Sequence, residues 1–121
     1  MSNSAGVTLP SGATAWTVAS DERLKDITGT FDTALQDIGQ IKPVKFLWKQ
    51  HPEQGPQVGV IAQSVQGVVP EAISTMTYPS DQEEYLGVRY TELIPIMIAG
   101  LQEATMRIEA LEALVQQLLA K

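Results

Sequence analysis

The residues best suited to chemistry lie in one polar hexapeptide, "SDERLK", Ser20 to Lys25, in a chain with no cysteine and a single histidine. A serine hydroxyl attacks only when a neighbouring base takes its proton, and an amine can be that base once it is neutral. Spacing sets a further condition. Residues five apart lie about 140° apart round an α-helix and on opposite faces of a strand, so Ser20 and Lys25 meet only where the chain bends between them. By spacing alone, the hexapeptide also reads as an ordinary helix start, with Ser20 as cap and Asp21 and Glu22 in the positive first turn.

Composition narrows what such a group could act on. At 121 residues and 44% hydrophobic, the chain is long enough for one compact domain with tails. A net charge of -6 disfavours nucleic acid and anionic membranes as partners, since neither finds clustered Lys or Arg here. The run of roughly 18 apolar residues that a membrane span needs is missing, and "MSNSAGVTLPSGATAW" lacks the basic and apolar regions of a signal peptide. A zinc site would need His51 plus carboxylates, but His51 sits in the turn-like "QHPEQGPQ" and reads as an exposed loop imidazole with no role. With no Walker loop, dinucleotide-binding glycine pattern or zinc-protease helix motif, neither cofactor nor metal is expected.

The elements that must position the hexapeptide follow from pattern. Residues 1–19 are rich in Ser, Gly, Thr and Ala and carry no charge, which suits a linker or the end of something larger. Within them "ATAWTVAS", with Trp16 and Val18, is a short strand if an assembly supplies a partner edge. A short helix is predicted over 32–39, with Asp32 as cap, Ala34, Leu35 and Ile38 at helical spacing and Gly39 as stop. Pro43 bars helix, and "VKFLWK" alternates, placing Val44, Phe46 and Trp48 on one face. A hairpin through "QHPEQGPQ" to "VGVIA", a helical turn from Ser64 to Val69 closed by Pro70, and a second hairpin of "ISTMTY", "PSDQEE" and "YLGVRY" complete a small antiparallel sheet.

The C-terminal third has the clearest period. Steps of three and four from Ile94 give Met97, Leu101, Ala104, Ile108, Leu111, Val115 and Leu118, all apolar, with Arg107, Glu109 and Glu112 off the seam. Thr91 is the expected cap, and Pro95 falls in the first turn, where a missing amide hydrogen is tolerated. Over 94–101 the stripe can cover the helix's own domain; farther on, too little chain remains to surround it, which favours self-association. The pattern alone leaves dimer and trimer open.

In this order, "SDERLK", a short helix, a hairpin ending in "GVIAQSV", "VRYTELIPIMIAGLQE" and a terminal coiled coil resemble a known family. It is the C-terminal intramolecular chaperone auto-processing domain of phage tailspikes and tail fibres, of the endosialidase type. The sharpest piece is Ser-Asp-x-Arg-x-Lys, matched by Ser20, Asp21, Arg23 and Lys25, with "GVIAQ" and Tyr90 in support. The resemblance implies an α+β fold: a small antiparallel sheet with short helices, then a long C-terminal helix forming a trimeric coiled coil. Residues 1–19 are then the end of an upstream fibre or a linker, 20–90 the chaperone region and 91–121 the coiled-coil helix. It implies a homotrimer that folds the upstream stem of its own polypeptide, in a virion tail fibre or spike assembled in the host cytoplasm. It also implies a cut between Ala19 and Ser20, with Ser20 as nucleophile, Lys25 as general base, and Asp21 and Arg23 in support.

The implied chemistry places demands on Lys25. An unperturbed lysine titrates at about 10.4, so burial or a nearby cation must favour the neutral amine, while Asp21, Glu22 and Asp26 oppose it. Arg23 either favours neutral lysine or pairs off one of those carboxylates. If bend and desolvation form only on assembly, cleavage waits for the trimer. Two other readings remain: an uncleaved trimeric structural tip of a tail fibre, with "SDERLK" a capped turn, and an unrelated acidic coiled-coil adaptor.

Overall fold

In the computed structural model residues 7–121 are described, so the first six residues of the 1–19 segment lie outside the described residues. Two units divide the chain, one ending at Thr30 and one running from Phe31 to Lys121.

In the first unit β1 (Val7–Thr8) pairs antiparallel with β2 (Thr17–Val18), Val7 opposite Val18. The partner edge expected from an assembly therefore comes from the same chain. Gly12 makes this possible: its φ of 82° closes the turn in which Ala13 N–H donates to the Pro10 carbonyl at 3.0 Å. Nothing from residue 7 to residue 30 is buried, and Trp16, Val18, Leu24 and Ile27 all stand in solvent.

The second unit is built round Ala34, Val65, Val69, Ala72, Leu93 and Ile96. Helix α1 (Ala34–Ile38) precedes the antiparallel pair β3 (Pro43–Phe46) and β4 (Gln57–Val60). Helix α2 (Ala62–Gln66) leads into the hairpin β5 (Ile73–Thr77) and β6 (Glu84–Val88), and a 3₁₀ turn at Tyr90–Leu93 opens into α3 (Ile94–Leu119). The one small sheet expected of these four strands is instead two separate two-stranded ribbons, β3–β4 and β5–β6. Helix α2 and the 3₁₀ turn at Pro70–Ala72 stand between β4 and β5 in the chain, and those strands do not share a ladder.

Other boundaries shift for local reasons. Thr33, not Asp32, stands at the cap of α1, and neither side chain takes a backbone amide there. Glu103, 68 residues away on α3, does so instead: its Oε2 accepts the Leu35 N–H at 3.0 Å while Oε1 accepts from Arg107 at 3.1 Å. Glu103→Ala is expected to lower stability by about 1 kcal/mol, the usual worth of a helix cap, and Glu103→Gln to recover most of it, both read by thermal unfolding. Thr91 is not a cap, because the chain already turns helically from Tyr90; Pro95 lies in the first turn of α3 as expected.

The outer edge of β4 has no strand partner, and a side chain serves it. Tyr90 Oη accepts the Val60 N–H at 3.0 Å, and its ring reaches that edge across Gly59, where a Cβ would stand 2.8 Å from Oη and 3.2 Å from Phe46 Cε1. Gly59→Ala therefore forces Tyr90 or Phe46 aside. The expected loss is about 1–3 kcal/mol, measurable as a fall in unfolding temperature that Tyr90→Phe does not add to in full, since the two changes break the same contact.

Candidate active site

The hexapeptide bends as the spacing demands. Asp21 and Lys25 are both extended, and between them Glu22–Leu24 form a single 3₁₀ turn, with Leu24 N–H on the Asp21 carbonyl at 3.0 Å and Lys25 N–H on the Glu22 carbonyl at 3.1 Å. The reversal brings the two ends together: Lys25 Nζ donates to Ser20 Oγ at 2.7 Å. The capping residue is Asp21 and not Ser20, its Oδ1 accepting the Arg23 N–H at 2.9 Å, which leaves the serine hydroxyl to the lysine.

Arg23 pairs off the neighbouring carboxylate. Its Nε donates to Asp21 Oδ1 at 3.1 Å and its terminal nitrogen to Oδ2 at 2.9 Å, a two-pronged grip that fits a planar guanidinium to a carboxylate. These bonds hold the Asp21 carboxyl below the usual aspartate range and push Arg23 up. A carboxylate so depressed stabilises the turn at any pH above its unfolded value, about 4, and loses that effect as pH falls through the folded value. Acidifying below pH 4 is therefore expected to loosen the turn, read as sharpening of the Arg23 and Leu24 amide exchange with solvent, while the second unit keeps its fold.

The structure places the other expected residues as follows. Ala19 directly precedes the bend and ends no strand or helix. His51 lies in an exposed loop with Nδ1 3.1 Å from Glu53 Oε1. On α3, Ile94, Met97, Leu101, Ile108, Leu111, Val115 and Leu118 are all exposed, and Ala104 is half-buried. The face turned to the helix's own domain is a different one, Leu93, Ile96 and Gly100, so the expectation that the stripe over 94–101 covers that domain is corrected. Gly100 explains the offset. Without a side chain it lets Ile38 of α1 lie against the helix, a close approach that an apolar count does not register.

Residues 20–74 match the family described as chaperone of endosialidase. The match spans just under half of the chain. No curated protein matches the chain. The chaperone-of-endosialidase match opens on Ser20 itself and takes in the bend, α1, the β3–β4 hairpin, Gly59, α2 and the start of β5. The 3₁₀ turn at Tyr90–Leu93 and helix α3 lie beyond it, joined to the matched segment through the Tyr90–Val60 and Glu103–Leu35 bonds respectively.

Sequence reasoning named the four residues of the bend but not the division of labour among them. The Asp-x-Arg spacing was the available signal: an aspartate two before an arginine can cap the turn and hold the guanidinium at once. Nothing local in the sequence could point to Glu103.

Proposed function

We propose that the chain is an intramolecular chaperone of a phage tail fibre or tailspike, which trimerises through α3 and then releases itself by cutting the Ala19–Ser20 bond. The chaperone-of-endosialidase match supports the chaperone role in phage fibres. The observation that carries the cut is the 2.7 Å contact between Lys25 Nζ and Ser20 Oγ.

The reaction needs few parts. Neutral Lys25 takes the hydroxyl proton, and Ser20 Oγ bonds to the Ala19 carbonyl carbon. The C–N bond then breaks, with its electron pair leaving on the Ser20 nitrogen, which collects the proton from Lys25. The product is an ester between Ala19 and the Ser20 side chain. Water cleaves that ester and leaves an Ala19 carboxylate and a new Ser20 amino terminus. Because the attacked carbonyl adjoins the nucleophile, positioning is intramolecular and no substrate pocket is required. Each chain reacts once.

Assembly supplies what one chain lacks. Ser20 and Lys25 are exposed, and a lysine base forms by withdrawal from water. The α3 seam is exposed too, and from Thr105 onward every residue of the helix faces solvent, so packing three copies would cover leucines that none of the described residues covers. A second reading, in which the fibre keeps its chaperone and the bend is only a turn, rests on the same exposure of Ser20 and Lys25.

The deciding experiment is the intact mass of freshly purified protein under denaturing conditions, beside Ser20→Ala. Two masses dividing at Ala19–Ser20 in the wild type alone are expected. A single full-length mass from assembled wild-type protein would establish the second reading.

A further inference from the structure

The charged groups of the first unit number five among the described residues: Asp21, Glu22, Arg23, Lys25 and Asp26. The strands β1 and β2 and the turn between them contribute none. Among the described residues of its own unit, Lys25 is therefore accompanied by three carboxylates and one other cation, an acidic balance. One of those carboxylates adjoins Ser20 directly, yet Lys25 donates to the hydroxyl, because both Asp21 oxygens are already engaged by Arg23.

We propose that Arg23 is a positioning residue for the cleavage: by occupying both oxygens of Asp21 it keeps that carboxylate from drawing the Lys25 amine off Ser20 and holding it as an ammonium. The proposal rests on the self-cleavage reading above. Asp21 has two separable duties. As a cap it needs only an acceptor oxygen for the Arg23 N–H, which asparagine supplies equally well; as a charge it needs Arg23 to neutralise it. Arg23→Gln leaves the cap in place and frees the charge.

The arrangement predicts a reversal that a purely structural arginine could not give. In the full chain, Arg23→Gln slows cleavage about tenfold at neutral pH and moves the pH–rate profile about one unit to the alkaline side, the effect of one unscreened carboxylate on a base. Adding Asp21→Asn to Arg23→Gln brings rate and profile back towards wild type, because the freed charge is gone while the cap remains.

The measurement is a cleavage time course by intact mass across pH 6 to 10 for wild type, the single and the double variant, each checked for assembly by light scattering. A wild-type rate and profile in Arg23→Gln overturns the proposal. So does a double variant as slow as the single one, since Arg23 then acts by shaping the turn. If wild type itself stays whole while assembled, the self-cleavage reading fails and the proposal falls with it, an outcome distinct from the other two.

Discussion

Lys25→Met is expected to leave the chain uncut over a period in which, on the proposed self-cleavage, the wild-type protein divides. Methionine keeps the length and apolar stem of lysine but cannot take a proton, and loss of a positioned base lowers rates by about 10²–10⁴. The bend itself survives, because its bonds run through Asp21, Arg23 and the backbone rather than through Lys25. Cleavage should therefore disappear while mass of the assembly and helix content stay those of the wild type. A Lys25→Met protein that divides at the wild-type rate would place the base elsewhere and sink the Ser20–Lys25 pairing. Loss of cleavage together with loss of assembly would instead call for Lys25→Gln, which preserves a donor to Ser20 Oγ and separates hydrogen bonding from basicity.

Leu111→Asp and Ile108→Asp together are expected to reduce the proposed three-chain assembly to single chains. Each removes an apolar side chain worth about 2 kcal/mol when buried, and each places a charge where three helices would bring three such charges together. Repeated in every chain, these losses shift the association midpoint by several orders of magnitude. Neither residue touches the core round Ile96, so the second unit should keep its fold in the dissociated chain. Cleavage should fall with assembly, since the desolvation of Lys25 is assigned to the trimer. The comparison variant is Glu109→Gln, off the seam, which leaves the mass unchanged. A trimer that persists in the double variant, by sedimentation at micromolar concentration, removes the seam from the proposal; a monomer that still cuts itself efficiently removes the coupling.

Much of this was written locally, and the exceptions share a cause. The bend of "SDERLK" followed from the angle between residues five apart, and the β3–β4 and β5–β6 hairpins followed from alternation broken by Pro, Gly and Asp. Pro95 fixed the beginning of α3 within a turn. What escaped were partners distant in the chain: Val7 and Thr8 as the edge for β2, Glu103 as acceptor for α1, and Tyr90 as partner for Val60. Each is a polar or backbone contact between segments that no period relates. The inner face of α3 escaped differently. Its centre is Gly100, whose use lies in the side chain it lacks, while the longer and more regular stripe beside it drew attention outward.

The ribbon β1–β2 stops at Val18, and the 3₁₀ turn begins after Asp21, so the Ala19–Ser20 bond lies in the short unpaired joint between them. A cut there tears no ladder and opens no turn. After the proposed cut the upstream piece would keep its hairpin closed by Gly12, and the downstream piece the capped bend at its new terminus. The joint is in this sense a perforation: severing it would break one covalent bond and, among the described residues, no ladder hydrogen bond and no bond of the turn.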